Sequence, residues 1–343
     1  MKLATYKDGS RDGQLVVVSR DLTLAHYATG VASTLQQVLD DWNFMSPQLQ
    51  DISDALNQAG QGRARHAFPF EPARCMAPLP RAYQWAGGLA FAHHAALLHQ
   101  ARGGADLPPD VATEPLMYQG SSGDFSGPHD PIVLPSPEAA VVWGVDFEAG
   151  VAVITADVPR GATPAQALDG VRLVMLANDV SLRHLIEGEL GKGFGLVQGK
   201  PGTAFSPVAV TPDELVVGGD SSWRLGRLHL GVQSTWNGRK VGMVEAGPEM
   251  TFGFGELIAH LCQTRPVRAG SVIGSGPISN QDRSRGYSCI AEKRALETIE
   301  HDQPKTPYLA LGDTIRIEAK GKDGLSVFGT IHQTVALAAP PAV

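Results

Sequence analysis

The chain has 343 residues, 43% of them hydrophobic, and a net charge of −7. That apolar share can bury a sizeable core and excludes a disordered chain, and the length points to one large domain with a smaller one. The acidic balance excludes the basic face of a nucleic-acid binder, and three scattered cysteines, Cys75, Cys262 and Cys289, exclude a disulfide framework or a CxxC zinc site.

The first residues, MKLATYKDGSRDG, contain no apolar signal-peptide core, so a cytoplasmic protein is expected. QLVVVSRDLTLA reads as strands joined by a polar turn. Thr34 caps TLQQVLDDWNF, and helix continues from Pro47 to Ala59, where GQGR stops it. Residues 1–75 read as a small domain of their own. The proline-rich stretch HAFPFEPARCMAPLPRAYQW is an extended linker into a second domain, 76–343. Residues 82–101 carry no Asp, Glu, Lys or Arg, yet Gln84, His93, His94, His99 and Gln100 make them too polar to cross a bilayer. They read as buried, with a helix over 90–102. VVWGVDFEAGVAVITAD (141–157) alternates and predicts one long strand. Thr163-Pro164 opens a helix, RLVMLANDVS is a buried strand, and Thr251 caps a helix that runs to His260. An Asn237-Gly238 turn and the later segments are strand-rich. The fold class is α+β, rich in strands, without the βα alternation of a doubly wound sheet.

GKGFGLVQGKPG is not a phosphate loop: Phe194 stands where the first Gly is needed, and Pro201 follows the Lys. Among residues that carry chemistry, Asp146 and Glu148 share one face of a strand. They read as a solvent-facing edge or as buried carboxylates with a cation partner. Asp179 at a strand end is a ligand or a loop cap. His93 and His94 are core or surface imidazoles unless they act as bases. Lys200 follows a glycine-rich loop and reads by default as a solvated loop Lys. Glu292 reads by default as a surface partner of Lys293 or Arg294.

Six segments in order change that balance: PLMYQGSSGDFSGP (115–128), WGVDFEAGVAVITADVP (143–159), RLVMLANDVSLR (172–183), GKGFGLVQGKPGTAFSPVAVTPDEL (191–215), IGSGPISNQD (273–282) and GYSCIAEKR (286–294). Together they resemble the fumarylacetoacetate hydrolase family in its bacterial form with a small N-terminal domain. The resemblance implies a β-roll of mixed sheets, a homodimer, and cleavage or rearrangement beside the carbonyl of an oxo-acid or β-dicarbonyl compound. It also implies a divalent ion (Mg²⁺, Ca²⁺ or Mn²⁺) held by four carboxylates. No nucleic-acid or membrane partner is implied.

Matched residue by residue, His94 takes the general-base position, Glu292 that of its orienting carboxylate, and Lys200 that of the active-site Lys. Tyr118, Arg183 and His93 fall at substrate-facing positions. Of the metal ligands Glu148 and Asp179 remain, while Gly87 and Gly150 stand at the other two; Pro277 replaces a Thr donor. A hard dication loses affinity with ligand charge, so little or no tightly bound metal is expected. The expectation is a divergent enzyme with His94 as base and Lys200 in place of metal charge. The alternatives are a conventional Mg- or Mn-dependent acylpyruvate-type hydrolase or decarboxylase with a weakened site, and a non-catalytic binding protein.

Overall fold

A computed structural model describes the chain except for residues 59–63, 105–106, 108, 218–219 and 340–343. The GQGR stop signal therefore lies outside the described residues.

The chain opens with β1 (Lys2–Tyr6), β2 (Gln14–Val18) and β3 (Leu24–Tyr27), an antiparallel meander. Helices α1 (Leu35–Asp40) and α2 (Trp42–Asn57) follow. Thr34 caps α1 in a full capping box with Gln37, as its hydroxyl and the spacing predict. Within the expected linker, β4 (Phe68–Pro69) adds an edge to β3, a place where a proline's missing donor costs nothing.

Next come β5 (Trp85–Gly88), α3 (Ala92–Ala101), β6 (Met117–Gly120), β7 (Ile132–Leu134), α4 (Pro137–Trp143), β8 (Val145–Asp146) and β9 (Ala149–Thr155). After them run α5 (Pro164–Leu168), β10 (Val171–Asp179), β11 (Ser181–Leu182), α6 (Arg183–Leu190), β12 (Thr203–Phe205) and β13 (Ala209–Val210). The last helices are α7 (Phe254–Cys262) and α8 (Ile290–His301).

The main sheet has eleven strands, in the order β4, β3, β2, β1, β13, β10, β9, Val272–Gly274, β5, β6, with β12 also on β10. The N-terminal strands continue this sheet through the β1–β13 pairing. A second sheet of five strands holds Gly231–Trp236, Arg239–Glu245, Thr314–Lys320, Ser326–Leu337 and β7. Every residue of β9 is buried, which is why its AGVAVIT reads as an unbroken apolar run: both faces of the strand are covered. A buried hydrogen bond from Asn178 to Gln333 (2.8 Å) ties the two sheets together beside the site.

Two expectations are corrected. Residues 141–143 end helix α4 rather than begin a strand: Pro137 follows Ser136 at the helix start, and Gly144 closes it at φ 65°. Val141 and Val142 imitate strand alternation but stand exposed on the helix. Helix α7 begins at Phe254 with Gly253 as its cap; the Thr251 hydroxyl is already engaged, accepting from the N–H of Ala92 (3.1 Å). Residues 82–101 hold β5 and all of α3. No helix among the described residues is long and apolar enough to cross a membrane.

Candidate active site

The antiparallel register of β9 and β10 sets Asn178 opposite Ala149. It therefore brings Glu148, one residue before β9, alongside Asp179, the last of β10, and the N–H of Asp179 donates to the carbonyl of Glu148 (3.0 Å). Both residues are 4% exposed. Two buried carboxylates at such range are tolerable only with cations between them.

Lys200, on the loop between α6 and β12, supplies one. Its Nζ donates to Glu148 Oε2 (2.8 Å) and to Asp179 Oδ2 (3.0 Å), with a longer third contact to the Asp179 carbonyl (3.4 Å). Arg183 supplies the other from the start of α6. Its Nη2 lies 2.7 Å from Glu148 Oε1 and 2.9 Å from Asp146 Oδ2, as ion pairs rather than aligned hydrogen bonds. Its Nε donates to Asp146 Oδ2 (2.9 Å). Burial alone would raise the Glu148 carboxyl, and Lys200 and Arg183 outweigh it and hold the group below the usual range. For Lys200, burial lowers the ammonium, while Asp179 and Glu148 carry it above its ordinary value.

Asp146 is wholly buried and accepts the backbone N–H groups of Ile290 (2.7 Å) and Ala291 (2.9 Å). An anion at this helix N-terminus answers both the unpaired donors and the helix dipole. It fixes the start of α8, from which Glu292 points inward, 3% exposed. The reading of Glu292 as a surface ion pair is thereby overturned.

Gly87 of β5 lies between Gly274 and Tyr118 in the sheet. A Cβ built there would stand 2.2 Å from Cε1 of Tyr118. The Tyr118 ring thus fills the space in front of Gly87. Its hydroxyl donates to Asp179 Oδ2, and Lys200 Nζ is 5.1 Å from its ring centre. Burial first, then Asp179 and Glu148, push this phenol well above its ordinary value. At Gly150 a Cβ would stand 2.5 Å from the carbonyl oxygen of Gly276, so backbone closes that position.

On the other side, His94, Cys289 and Glu292 offer ligand atoms all within 4.8 Å of one another. His94 is 2% exposed and its Nδ1 has no hydrogen-bond partner among the described residues. Burial pulls this imidazole down to about 3 and pushes the Cys289 thiol well up. It also raises Glu292 to about 7. Glu292 accepts a hydrogen bond from Ser279, whose Oγ is also 2.7 Å from Nδ1 of His93.

The sequence-predicted residues His94, Glu292, Lys200, Tyr118, Arg183, Glu148 and Asp179 therefore converge, with His93 joined through Ser279. Ser279 and Thr203, whose hydroxyl donates to Asp179 Oδ1 (2.9 Å), were missed. Both sit inside matched segments, and a hydroxyl next to a run of chemical residues was the available signal. Beside Tyr118 a cavity of about 960 Å³ opens between β6 and residues 189–198, the end of α6 and the loop after it, lined by Met117, Leu190, Phe194 and Val197 with Lys192.

Two family models match in succession: fumarylacetoacetase N-terminal domain 2 over residues 1–81, and fumarylacetoacetate (FAA) hydrolase C-terminal over residues 84–336. Comparison with curated proteins gave no match. Solved structures share the fold at low identity. A fumarylacetoacetate hydrolase from psychrophilic Exiguobacterium antarcticum is 19% identical, with TM-score 0.63, over 98% of this chain and 100% of that one. A maleylpyruvate hydrolase from Sphingobium sp. SYK-6, in complex with manganese(II) ion and pyruvate, is 15% identical, with TM-score 0.63, over 99% and 100%. A 5-carboxymethyl-2-hydroxymuconate delta-isomerase from Mycobacterium smegmatis is 16% identical, with TM-score 0.58, over 98% and 100%. With the C-terminal model spanning well over half of its length and an α+β, strand-rich fold to match, the chain belongs to the fumarylacetoacetate hydrolase family.

Proposed function

We propose that the chain is an enzyme that acts beside a carbonyl of an oxo-acid or β-dicarbonyl compound, by C–C cleavage, condensation, cyclisation or dehydration, with Lys200 and Arg183 in place of a divalent ion. The observation that carries this reading is the Lys200 ammonium seated between Glu148 and Asp179.

The donor set does not fit a hard dication. Such an ion needs six or more oxygens, several of them anionic. Here Gly87 and Gly150 offer no side chain, Arg183 and Lys200 take the two oxygens of Glu148, and Thr203, Lys200 and Tyr118 take those of Asp179. A dication would also meet two fixed positive charges.

In this reading the chain's own groups do the chemistry. The longest Lys200 contact, 3.4 Å to the Asp179 carbonyl, is the one a substrate oxygen replaces most easily. Charge developing on that oxygen is then stabilised by an ammonium already in position in a buried site. His94, whose Nδ1 has no hydrogen-bond partner among the described residues, is the proposed general base, with Glu292 beside it. The apolar cavity next to Tyr118 supports a substrate carrying an apolar tail. The proposal includes a cytoplasmic homodimer without nucleic-acid or membrane partners, in keeping with the net charge of −7.

The test is turnover of acylpyruvates and oxaloacetate by chelator-treated protein. Undiminished turnover supports the reading. Strong stimulation by millimolar Mg²⁺ or Mn²⁺ favours a conventional metal-dependent hydrolase or decarboxylase. Normal cellular function of His94→Ala favours a binding protein.

A further inference from the structure

Glu292 is buried behind the site, and nothing in the proposed chemistry explains how a proton gathered there returns to solvent. Its carboxylate shares a hydrogen bond with Ser279, which is itself fully buried. The same Ser279 Oγ is 2.7 Å from Nδ1 of His93. His93 is 22% exposed, against 4% for Glu292. The direct His93–Glu292 separation is 4.0 Å, so the hydroxyl is the bridge. On the inner side Glu292 lies within 4.8 Å of His94. A serine hydroxyl both donates and accepts, and it can reverse direction by rotating.

We propose that Glu292, Ser279 and His93 form a proton conduit from the buried site to solvent. The idea rests on the reading that this site moves protons beside a carbonyl. A proton on the Glu292 carboxyl passes to Ser279 Oγ as the carboxyl O–H bond breaks. The hydroxyl's own proton passes to Nδ1 of His93, and the Nε2 proton of His93 goes to water. One proton enters, one leaves, and no electrons change hands. The end state has an ionised Glu292, a Ser279 hydroxyl donating to it, and a His93 Nδ1–H donating to Ser279. Charged groups around the chain are Glu249 and Arg283 at His93, and Asp146, with His94 and the Cys289 thiol close by, at Glu292. Ser279 and His93 act here as positioning and relay residues, without contact to the reacting carbon.

Two readouts test this separately. The first uses the full chain without ligand. In ¹⁵N-detected imidazole NMR titrations, the His93 signals of the wild type should show a second inflection from Glu292. That inflection should be absent in Ser279→Ala and Glu292→Gln and present in Ser279→Thr. The second follows exchange of the C3 hydrogens of pyruvate into D₂O. In dilute buffer, Ser279→Ala should slow exchange about tenfold or more with KM unchanged, His93→Ala should slow it likewise, and added imidazole should restore both. A His93 titration indifferent to Ser279→Ala overturns the conduit, as does an exchange loss that imidazole does not repair. If the wild type exchanges no pyruvate hydrogens, the proposed function fails on this substrate and the NMR titration alone decides the conduit.

Discussion

Replacing Lys200 by Ala removes the ammonium and leaves Glu148 and Asp179 facing each other in a buried site. At an effective dielectric of about 20, each contact at 2.8 to 3.0 Å contributes about 6 kcal/mol before the cost of burying the ammonium is deducted. Arg183 still holds one oxygen of Glu148, and Thr203 and Tyr118 still donate to Asp179. The net loss should therefore be that of breaking a buried ion pair from one side, about 3–5 kcal/mol. For a chain of this length about 2 °C of Tm per kcal/mol gives a fall of about 6–10 °C at pH 7.5. The deficit should depend on pH. Glu148 is depressed in the folded protein, so its contribution is present above the ordinary carboxylate value and lost as pH falls. Without Lys200 that depression weakens, and the gap between variant and wild type should narrow by pH 4. Millimolar Mg²⁺ or Ca²⁺ should now stabilise the variant. At ten times Kd the linkage is about 1.4 kcal/mol, or about 3 °C. Differential scanning fluorimetry at the two pH values, with and without the ion, reads all three effects. Equal melting of variant and wild type at both pH values would refute the reasoning, because it would mean that the ammonium is not what neutralises these carboxylates.

Glu292→Gln should remove a pH slope. Its carboxyl is raised from 4.5 to about 7, so it adds stability that is complete below pH 4.5 and lost, about 3 kcal/mol in all, as pH rises through 7. The variant should therefore gain on the wild type by most of that amount between pH 5 and pH 8 in paired denaturant melts; parallel curves would contradict it. Gly150→Ala should lower stability by about 1–3 kcal/mol, because the new methyl meets a backbone carbonyl 2.5 Å away that no rotamer can move; chemical denaturation measures it. Asp146→Asn should cost about 3–5 kcal/mol, since Arg183 loses an anionic partner and one of two backbone donors at the start of α8 faces an amide N–H₂. An unchanged urea midpoint would count against the capping role.

Much of the fold was legible because its signals are local. The capping boxes at Thr34 and Thr163 and the positive φ values of the Asn237-Gly238 turn are written in adjacent residues. The apolar runs of β9 and β10 reflect burial on both faces. Residues 141–143 misled because two valines and a tryptophan imitate a strand, while the deciding residues, Pro137 and Gly144, lie at the helix ends. At the site, residue types and order indicated which side chains to watch, but not how they are joined. That Tyr118 covers Gly87 follows from the pairing of β5 with β6, and that Gly276 closes Gly150 follows from the pairing of β9 with Val272–Gly274. The Ser279 bridge likewise joins residues 186 positions apart to His93 and 13 apart to Glu292. Such contacts depend on sheet register and loop closure, which no short window of sequence contains.

The central claim is that a lysine ammonium occupies the cation position between Glu148 and Asp179. Equilibrium dialysis of the wild-type chain against micromolar Mn²⁺, followed by elemental analysis, tests it most directly. The account predicts far less than one ion per chain, and a Lys200→Ala variant that retains more than the wild type. One tightly held ion per wild-type chain, lost on Glu148→Gln or Asp179→Asn, would contradict it.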